Sequence, residues 1–553
     1  MNGIMKKGWT LFILLWMIGA SMYGASWKLD RVAVMIDEGT KVSLNVCGKP
    51  SSRLVWESSN KNVATVSAKG IVRGHSHGDA VIKAVCTETG ESAECLVSVG
   101  YKGQNPILPP TWNLFIADGE PHVINGRMYI FGSKDNYNGT GKDGIREWCS
   151  EDYHLIWSDD LIHWTDAGEI LNIGELPKEL REGASRLWAP DVFQDPLTGK
   201  FYLTACTNKG RNIILEADKV EGPYTNPRFI TLDGKPWESI DPGVLVDDDG
   251  KVYIALPKFI VAQLDPNDYS RILPETVRDL KASMPTDNEP FEGPSLRKRG
   301  DTYYYIYIQN VGKVAERGAR PTRMAYLTSK SPLGPYEYQG LILSTYDYPN
   351  AGNVHGSIEP FKGQWYISYH RSVPGLSLTR TANMEPLTFN EDGTIQEVCM
   401  SSSGVRGEFK AGETIQASSA AEFSAKRESG KMYAIRSEKQ EGSNQYRMTG
   451  YPYISFSENG QWTGYRYLDF SKKISHLCIQ ASSTKGGGKL EIRKSAPDGE
   501  VIASVEISST DGQWKEFKVP VQTSTSGRDA FYIVATEIPT DGKVQVDWVK
   551  FVK

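Results

Sequence analysis

Alternation of apolar and polar positions divides the 553-residue chain into many short β-strands, with no helical periodicity of useful length. Near the N-terminus, KVSLNVCG, LVWESS, ATVSAKGIVRG and DAVIKAVC read as strands joined by glycine or polar turns, a compact unit over 27–99. Toward the C-terminus, KLEIRKS, VIASVEIS, WKEFKVPV, DAFYIVAT and VQVDWVKFV keep a period of two, which suits a β-sandwich over 413–553. A proline-rich link, QNPILPP (104–110), and a Gly/Ser-containing stretch, SSSGVRGEFKAG (401–412), separate these units from a central region.

The central region repeats. IADGEPHVINGRMYIF, WAPDVFQDPLTGKFYL, IDPGVLVDDDGKVYIA, FEGPSLRKRGDTYYYI and HGSIEPFKGQWYISYH share a glycine (Gly126, Gly199, Gly250, Gly300, Gly363) followed three residues later by a tyrosine. A strand–turn–strand unit recurring roughly every 50 residues or more is the sequence mark of a β-propeller, one repeat per blade. Five repeats predict five four-stranded blades. Eight or nine residues before each glycine stand Asp118, Asp191, Asp241, Glu292 and His355. Equivalent positions in five blades form a ring about the axis, so four carboxylates and one imidazole converge on one funnel. Carboxylates held together repel, which splits their protonation states. One acid and one base are what glycoside hydrolysis needs. Any one of these residues alone reads as a turn former. The ring could instead bind a structural calcium ion, with His355 ordering water or coordinating the ion.

Composition narrows the class. A net charge of −5 argues against nucleic acid or an anionic membrane surface as partner. The 27 Tyr, 17 Phe and 14 Trp fit short strands and give sugar binding slight support. Seven cysteines follow no metal-ligand spacing; Cys86 and Cys95 flank a turn-like run and could pair across a hairpin, while the others read as buried thiols. Lys6 and Lys7, the apolar run 9–20 and the small residues Gly24 and Ala25 read as an export signal over 1–25, implying a secreted or periplasmic protein. The run is short for a transmembrane helix, no cysteine follows it to take a lipid, and no later segment spans a bilayer.

WAPD (188–191), IDP (240–242), EGP (292–294) and the GPY runs at 222–224 and 334–336, in this order and spacing, resemble glycoside hydrolase family 43 over residues 104–400. The resemblance implies a five-bladed propeller that hydrolyses O-glycosidic bonds with inversion and without a cofactor. It implies Asp118 as base, Asp241 as modulator of the acid's pKa, and Glu292 as acid. Asp118 is preferred to Glu120 because only Asp118 keeps the ring offset. Asp191 is then a substrate contact. Trp188 offers a face to the sugar or packs the blade. Arg380 reaches the funnel or forms a surface ion pair. The implied substrates are non-reducing-end pentosides of plant oligo- or polysaccharide, α-L-arabinofuranoside first and β-D-xyloside second. A β-D-galactofuranoside, or a non-catalytic carbohydrate-binding or adhesion role, is the alternative. The run at 55–85 resembles group 2 bacterial Ig-like domains, placing a spacer or adhesion sandwich over 26–100. Residues 413–553 resemble carbohydrate-binding module family 6 through ENGQWTGYRYLDF, DGQWKEF and VQVDWVKF. Trp462, Tyr451 and Trp514 are sugar-stacking candidates there, and Gln545 stands where members often carry Asn. This division predicts that 413–553 can be removed without loss of small-substrate hydrolysis.

Overall fold

The structure is a computed structural model that describes residues 27–141, 145–257, 259–283, 289–310, 322–344, 353–424, 429–440 and 446–553. The segment read as an export signal, 1–25, lies outside the described residues. Regular structure among the described residues is strand, apart from one helical turn at Ser429–Met432 and short 3-10 turns.

The repeats form five blades around one axis, with their innermost strands in contact in a closed cycle. Blade one comprises Phe115–Ile124, Arg127–Asp135, Ser150–Ser158 and Trp164–Asn172; blade two comprises Leu187–Gln194, Phe201–Thr207, Asn212–Ala217 and Thr225–Phe229. Gly243–Val246, Val252–Leu256, Ile260–Asp265 and Asp268–Ile272 make blade three, which carries further short strands. Glu289–Arg299, Thr302–Asn310, Thr322–Ser329 and Glu337–Ser344 make blade four. The repeat glycines all adopt positive φ, from 60° at Gly300 to 86° at Gly363, so each permits the tight turn between first and second strand. The tyrosines that follow fill the seams: Tyr129 packs between blades one and two, Tyr202 between two and three, and Tyr253 and Tyr303 between three and four.

Blade five departs from the expected four strands. Among the described residues it has three, Gly356–Phe361, Gln364–Val373 and Leu376–Leu387. The proline-rich link runs beside the third strand, where Ile107 N–H donates to Ala382 O at 3.0 Å. Pro106, Pro109 and Pro110 carry no N–H, so the segment covers the edge without continuing the ladder.

The flanking modules are built into the propeller rather than strung beside it. Thr165 and Asp166 on the outer strand of blade one pair antiparallel with Val34 and Ala33, so blade one and the N-terminal module share an eight-stranded sheet. The stretch 401–412 is not a free linker. Ser401, Ser402 and Ser403 are buried, and the N–H groups of Ser402 and Ser403 donate to Arg466 O at 2.7 and 2.9 Å. One apolar core runs without a break from Ile358, Ile367 and Val373 of blade five through Phe409 to Ile415, Phe456 and Ile479 of the C-terminal sandwich. Separability of 413–553 is therefore corrected. A chain ending at 412 bares this surface, at ~1.5–3 kcal/mol for each large apolar side chain. We expect it to melt at least about 10 °C lower by calorimetry, or to aggregate, before any effect on catalysis can be read.

All seven cysteines are free thiols. The expected Cys86–Cys95 pairing does not form, because the hairpin register sets Cys95 opposite Ile82, while Cys86 sits at the turn with its N–H donating to Glu91 O.

Candidate active site

The ring positions converge at the end of the axis where the innermost strands begin. Asp118 lies near the start of its strand, Asp241 stands two residues before Gly243–Val246, and Glu292 lies near the start of Glu289–Arg299. Backbone irregularities aim these side chains. The pairing of first and second strands skips between Ala117 and Glu120, between Trp188 and Asp191, and on both sides of Glu292. Such bulges turn a side chain away from the sheet face that alternation would assign it. Asp118 and Asp241 adopt φ of 53° and 48°, a left-handed conformation that Asp tolerates better than most residues. Gly293, at φ 63°, lies so close to its surroundings that a Cβ would meet the His355 ring at 3.0 Å and Ile308 at 2.8 Å, which fixes the glycine of EGP.

Asp118 is enclosed by cations and donors. Arg380 Nη1–H donates to Oδ1 at 2.8 Å, Ser133 Oγ–H donates to Oδ2 at 2.9 Å, and His355 Nδ1 lies 3.4 Å from Oδ1. Burial works against the charged form, but the Arg380 guanidinium and the His355 contact outweigh it and hold the carboxyl well below the usual carboxylate range. The backbone N–H of Asp118 donates to His370 Nδ1 at 2.9 Å, so this nitrogen is an acceptor. Burial and the Arg380 charge lower His370 to about 4, keeping it neutral.

Glu292 has the opposite environment. Burial, then the charges of Asp241 and Asp118, push it up to about 8. It retains some solvent contact, while Asp118, Asp191 and Asp241 are buried. Asn353 Nδ2–H donates to Glu292 Oε1 at 2.8 Å, leaving Oε2 to carry the proton. Asp241 accepts from Gly293 N–H at 3.1 Å and is raised to about 6 by burial and Asp118. The ring thus holds one carboxyl group kept ionised and another kept protonated near neutral pH.

Three residues read as substrate contacts are buried and engaged with protein partners. Asp191, 1 % exposed, receives Val192 N–H on Oδ1 and Val244 N–H on Oδ2, both at 2.7 Å, while His122 Nε2 stands 2.6 Å from Oδ1. With both oxygens engaged it ties blade two to blade three. Arg380, 3 % exposed, forks onto Asp135 with two 2.8 Å bonds and gives its remaining nitrogen to Asp118. It is a buried clamp on Asp118 rather than a surface ion pair. His355 is buried beside Asp118. Burial opposes its charge, but Asp118, Asp241 and Glu120 raise it to about 9, so it is a cation that balances the acidic cluster. Trp188 is partly exposed, its indole N–H donating to Trp148 O at 3.0 Å, and Trp148 in turn lies 4.6 Å over the Arg380 guanidinium. Glu120 is occupied by Arg297 at 2.7 Å.

Sequence reasoning did not find Ser133, Asp135, Cys206, Asn353 or His370. His370 closes the fifth repeat segment and Asn353 stands two residues before His355. Cys206 Sγ accepts from Asp241 N–H at 3.3 Å and donates to Trp188 O at 3.1 Å, joining the rim to the ring. Among the described residues no group of three or more His, Cys, Asp or Glu side chains is placed to hold a metal ion. No described helix is long and apolar enough to cross a membrane.

In the C-terminal sandwich, Trp514 meets Tyr453 edge-on at 5.3 Å, and the Arg436 guanidinium lies 5.0 Å from both rings. Tyr451 stacks on Tyr101 of the segment before blade one at 5.6 Å and is a joint between modules rather than a sugar platform. Trp462 packs edge-on against Tyr532 at 5.5 Å.

The family model of glycosyl hydrolases family 43 matches residues 105–395, that of carbohydrate binding module family 6 matches 431–553, and that of the group 2 bacterial Ig-like domain matches 26–97. An arabinoxylan arabinofuranohydrolase of Bacillus subtilis is 28% identical over 75% of this chain and 87% of its own. A xylosidase/arabinosidase of Thermoclostridium stercorarium is 33% identical over 54% of this chain and 67% of its own. A crystal structure of a family 43 arabinoxylan arabinofuranohydrolase from Bacillus subtilis aligns with a TM-score of 0.43 at 25% identity, over 79% of this chain and 96% of that one. Hydrolysis in this family needs no cofactor. The chain belongs to glycosyl hydrolases family 43 and is an inverting glycoside hydrolase whose substrate is a carbohydrate.

Proposed function

We propose that this protein removes α-L-arabinofuranosyl groups from arabinoxylan-type plant polysaccharide, and β-D-xylosyl groups as a second activity. Asp118 is the base that activates water, Glu292 the acid that protonates the leaving oxygen, and Asp241 the charge that keeps Glu292 protonated. The observation that carries this assignment is the split in protonation within one ring: Asp118 held ionised by Arg380, Glu292 raised to about 8. Inversion needs acid and base on opposite sides of the bond with water on the base's side. Asp118 and Glu292 belong to blades separated by blade five, which suits that arrangement. The arabinoxylan arabinofuranohydrolase and xylosidase/arabinosidase relatives support the choice of pentosides. A polysaccharide substrate lies outside the cell, which agrees with reading residues 1–25 as an export signal.

A panel of nitrophenyl glycosides tests the assignment. Cleavage of the α-L-arabinofuranoside ahead of the β-D-xyloside is the expected result. Preference for a β-D-galactofuranoside, or no pentoside cleavage, overturns it.

Asn353 supplies a second check. Its amide bond to Oε1 favours the ionised form of Glu292, so Asn353→Ala removes a stabiliser of the charged state. The alkaline limb of kcat/KM should move to higher pH. Loss of the orienting bond should lower kcat on substrates with poor leaving groups by about tenfold, toward the lower end of general acid–base effects. An unmoved limb in a pH–rate profile would separate Asn353 from the acid.

A further inference from the structure

The C-terminal module reaches the mouth of the funnel. Asp135, which clamps Arg380, ends the second strand of blade one, and the chain turns there through Tyr137–Gly139 onto the rim. Thr379 Oγ–H, beside Arg380, donates to Asn136 O at 3.3 Å and ties this turn to blade five. Against the turn lies a hairpin of the C-terminal module, Ser437–Lys439 paired with Tyr446–Met448. Asn113, two residues before blade one's inner strand, anchors it: Nδ2–H donates to Met448 O at 3.0 Å and Oδ1 accepts from Met448 N–H at 2.5 Å. The rings of Tyr137 and Tyr446 meet at 6.1 Å and 33°, and Tyr446 is 42 % exposed.

At the root of the hairpin, Arg436 donates to Tyr451 O at 2.7 Å and to Asp547 Oδ1 at 3.1 Å, and its guanidinium lies against both Tyr453 and Trp514. The space between those two aromatic rings is therefore filled by a held side chain, whereas the aromatic surface on the rim is open.

We propose that Tyr446, with Tyr137, forms an aromatic shelf that binds the main chain of the polysaccharide beyond the bond being cleaved. The occupant is a run of β-linked pyranose units, whose apolar faces stack on aromatic rings while their hydroxyls stay in water. Continuity with the funnel identifies it: the shelf joins Asp118 through Tyr137, Asp135 and Arg380, so a polymer lying there leads its substituent to the ring. The C-terminal module thus acts as a wall of the groove. This inference rests on the proposed pentosidase function.

Tyr446→Ala in the full chain tests it, read as the ratio of kcat/KM on arabinoxylan to kcat/KM on the nitrophenyl arabinofuranoside. The ratio should fall about tenfold through KM on the polymer, and Tyr446→Phe should restore it. Trp514→Ala, whose ring faces Arg436, should leave the ratio within about twofold. A constant ratio in Tyr446→Ala, or a fall in Trp514→Ala alone, overturns the shelf. Failure of the unmutated protein on every pentoside overturns the proposed function instead, so the two ideas fail separately.

Discussion

Asp118→Asn should lower kcat/KM by about 1,000-fold or more, on nitrophenyl arabinofuranoside and arabinoxylan alike. General base catalysis contributes roughly 10²–10⁴ in rate, and a thousandfold is about 4 kcal/mol of transition-state stabilisation. The loss should not depend on the leaving group, because water must be activated whichever group departs. Asparagine is the informative replacement. It keeps the shape and, through its one carbonyl oxygen, the bond from Arg380, while its amide nitrogen can no longer accept from Ser133 and the base is gone. Either replacement removes the charge that the cationic His355 faces, while Arg380 keeps Asp135; alanine removes the last acceptor at this position as well. Steady-state kinetics on a variant with an unchanged melting temperature decides the matter. A loss below tenfold would remove Asp118 from the chemistry and reopen the search within the ring.

The second large effect should be selective. Glu292→Gln should lower kcat on arabinoxylan about 1,000-fold, yet cost only about tenfold on a dinitrophenyl glycoside, whose leaving group departs without a proton. The pH profile should show the same role. The active form is the protonated one, so kcat/KM of the unmutated enzyme should fall as pH rises through about 8. That limb should vanish in Glu292→Gln assayed on the dinitrophenyl substrate. Asp241→Asn removes a like charge, makes Glu292 easier to ionise, and should move the limb to lower pH. Arg380, fully engaged, supplies no limb, whereas His355, raised to about 9, loses its proton in the same direction, and the Glu292→Gln profile separates the two. A limb that stays in place in Asp241→Asn would show that burial alone raises Glu292.

The sequence by itself determined the class of fold, the number of blades and the ring. Each rests on local, repeated physics: a period of two in the strands, a positive-φ glycine at each first turn, a tyrosine three residues after it, and one polar residue eight or nine residues before it. Repetition converts a weak local signal into a strong one, because five blades impose the same steric demand five times. The tertiary structure decided everything that depends on non-local partners. Asp191 and Glu120 are as acidic as Asp118 in the sequence, but Asp191 spends its oxygens on Val192, Val244 and His122, and Glu120 on Arg297. Arg380 and Asp118 are far apart along the chain, and only closure of the ring brings them together. The missing fourth strand of blade five, the buried serines of 401–403 and the Tyr446 shelf share this origin. Polar and glycine-rich stretches look like linkers when their partners are elsewhere in the chain. Protonation follows the same division, since a carboxyl group's pKa is set by the charges and burial around it. Three acidic side chains of ordinary chemistry become one held well below the carboxylate range, one raised to about 6 and one raised to about 8 only when the propeller closes around them.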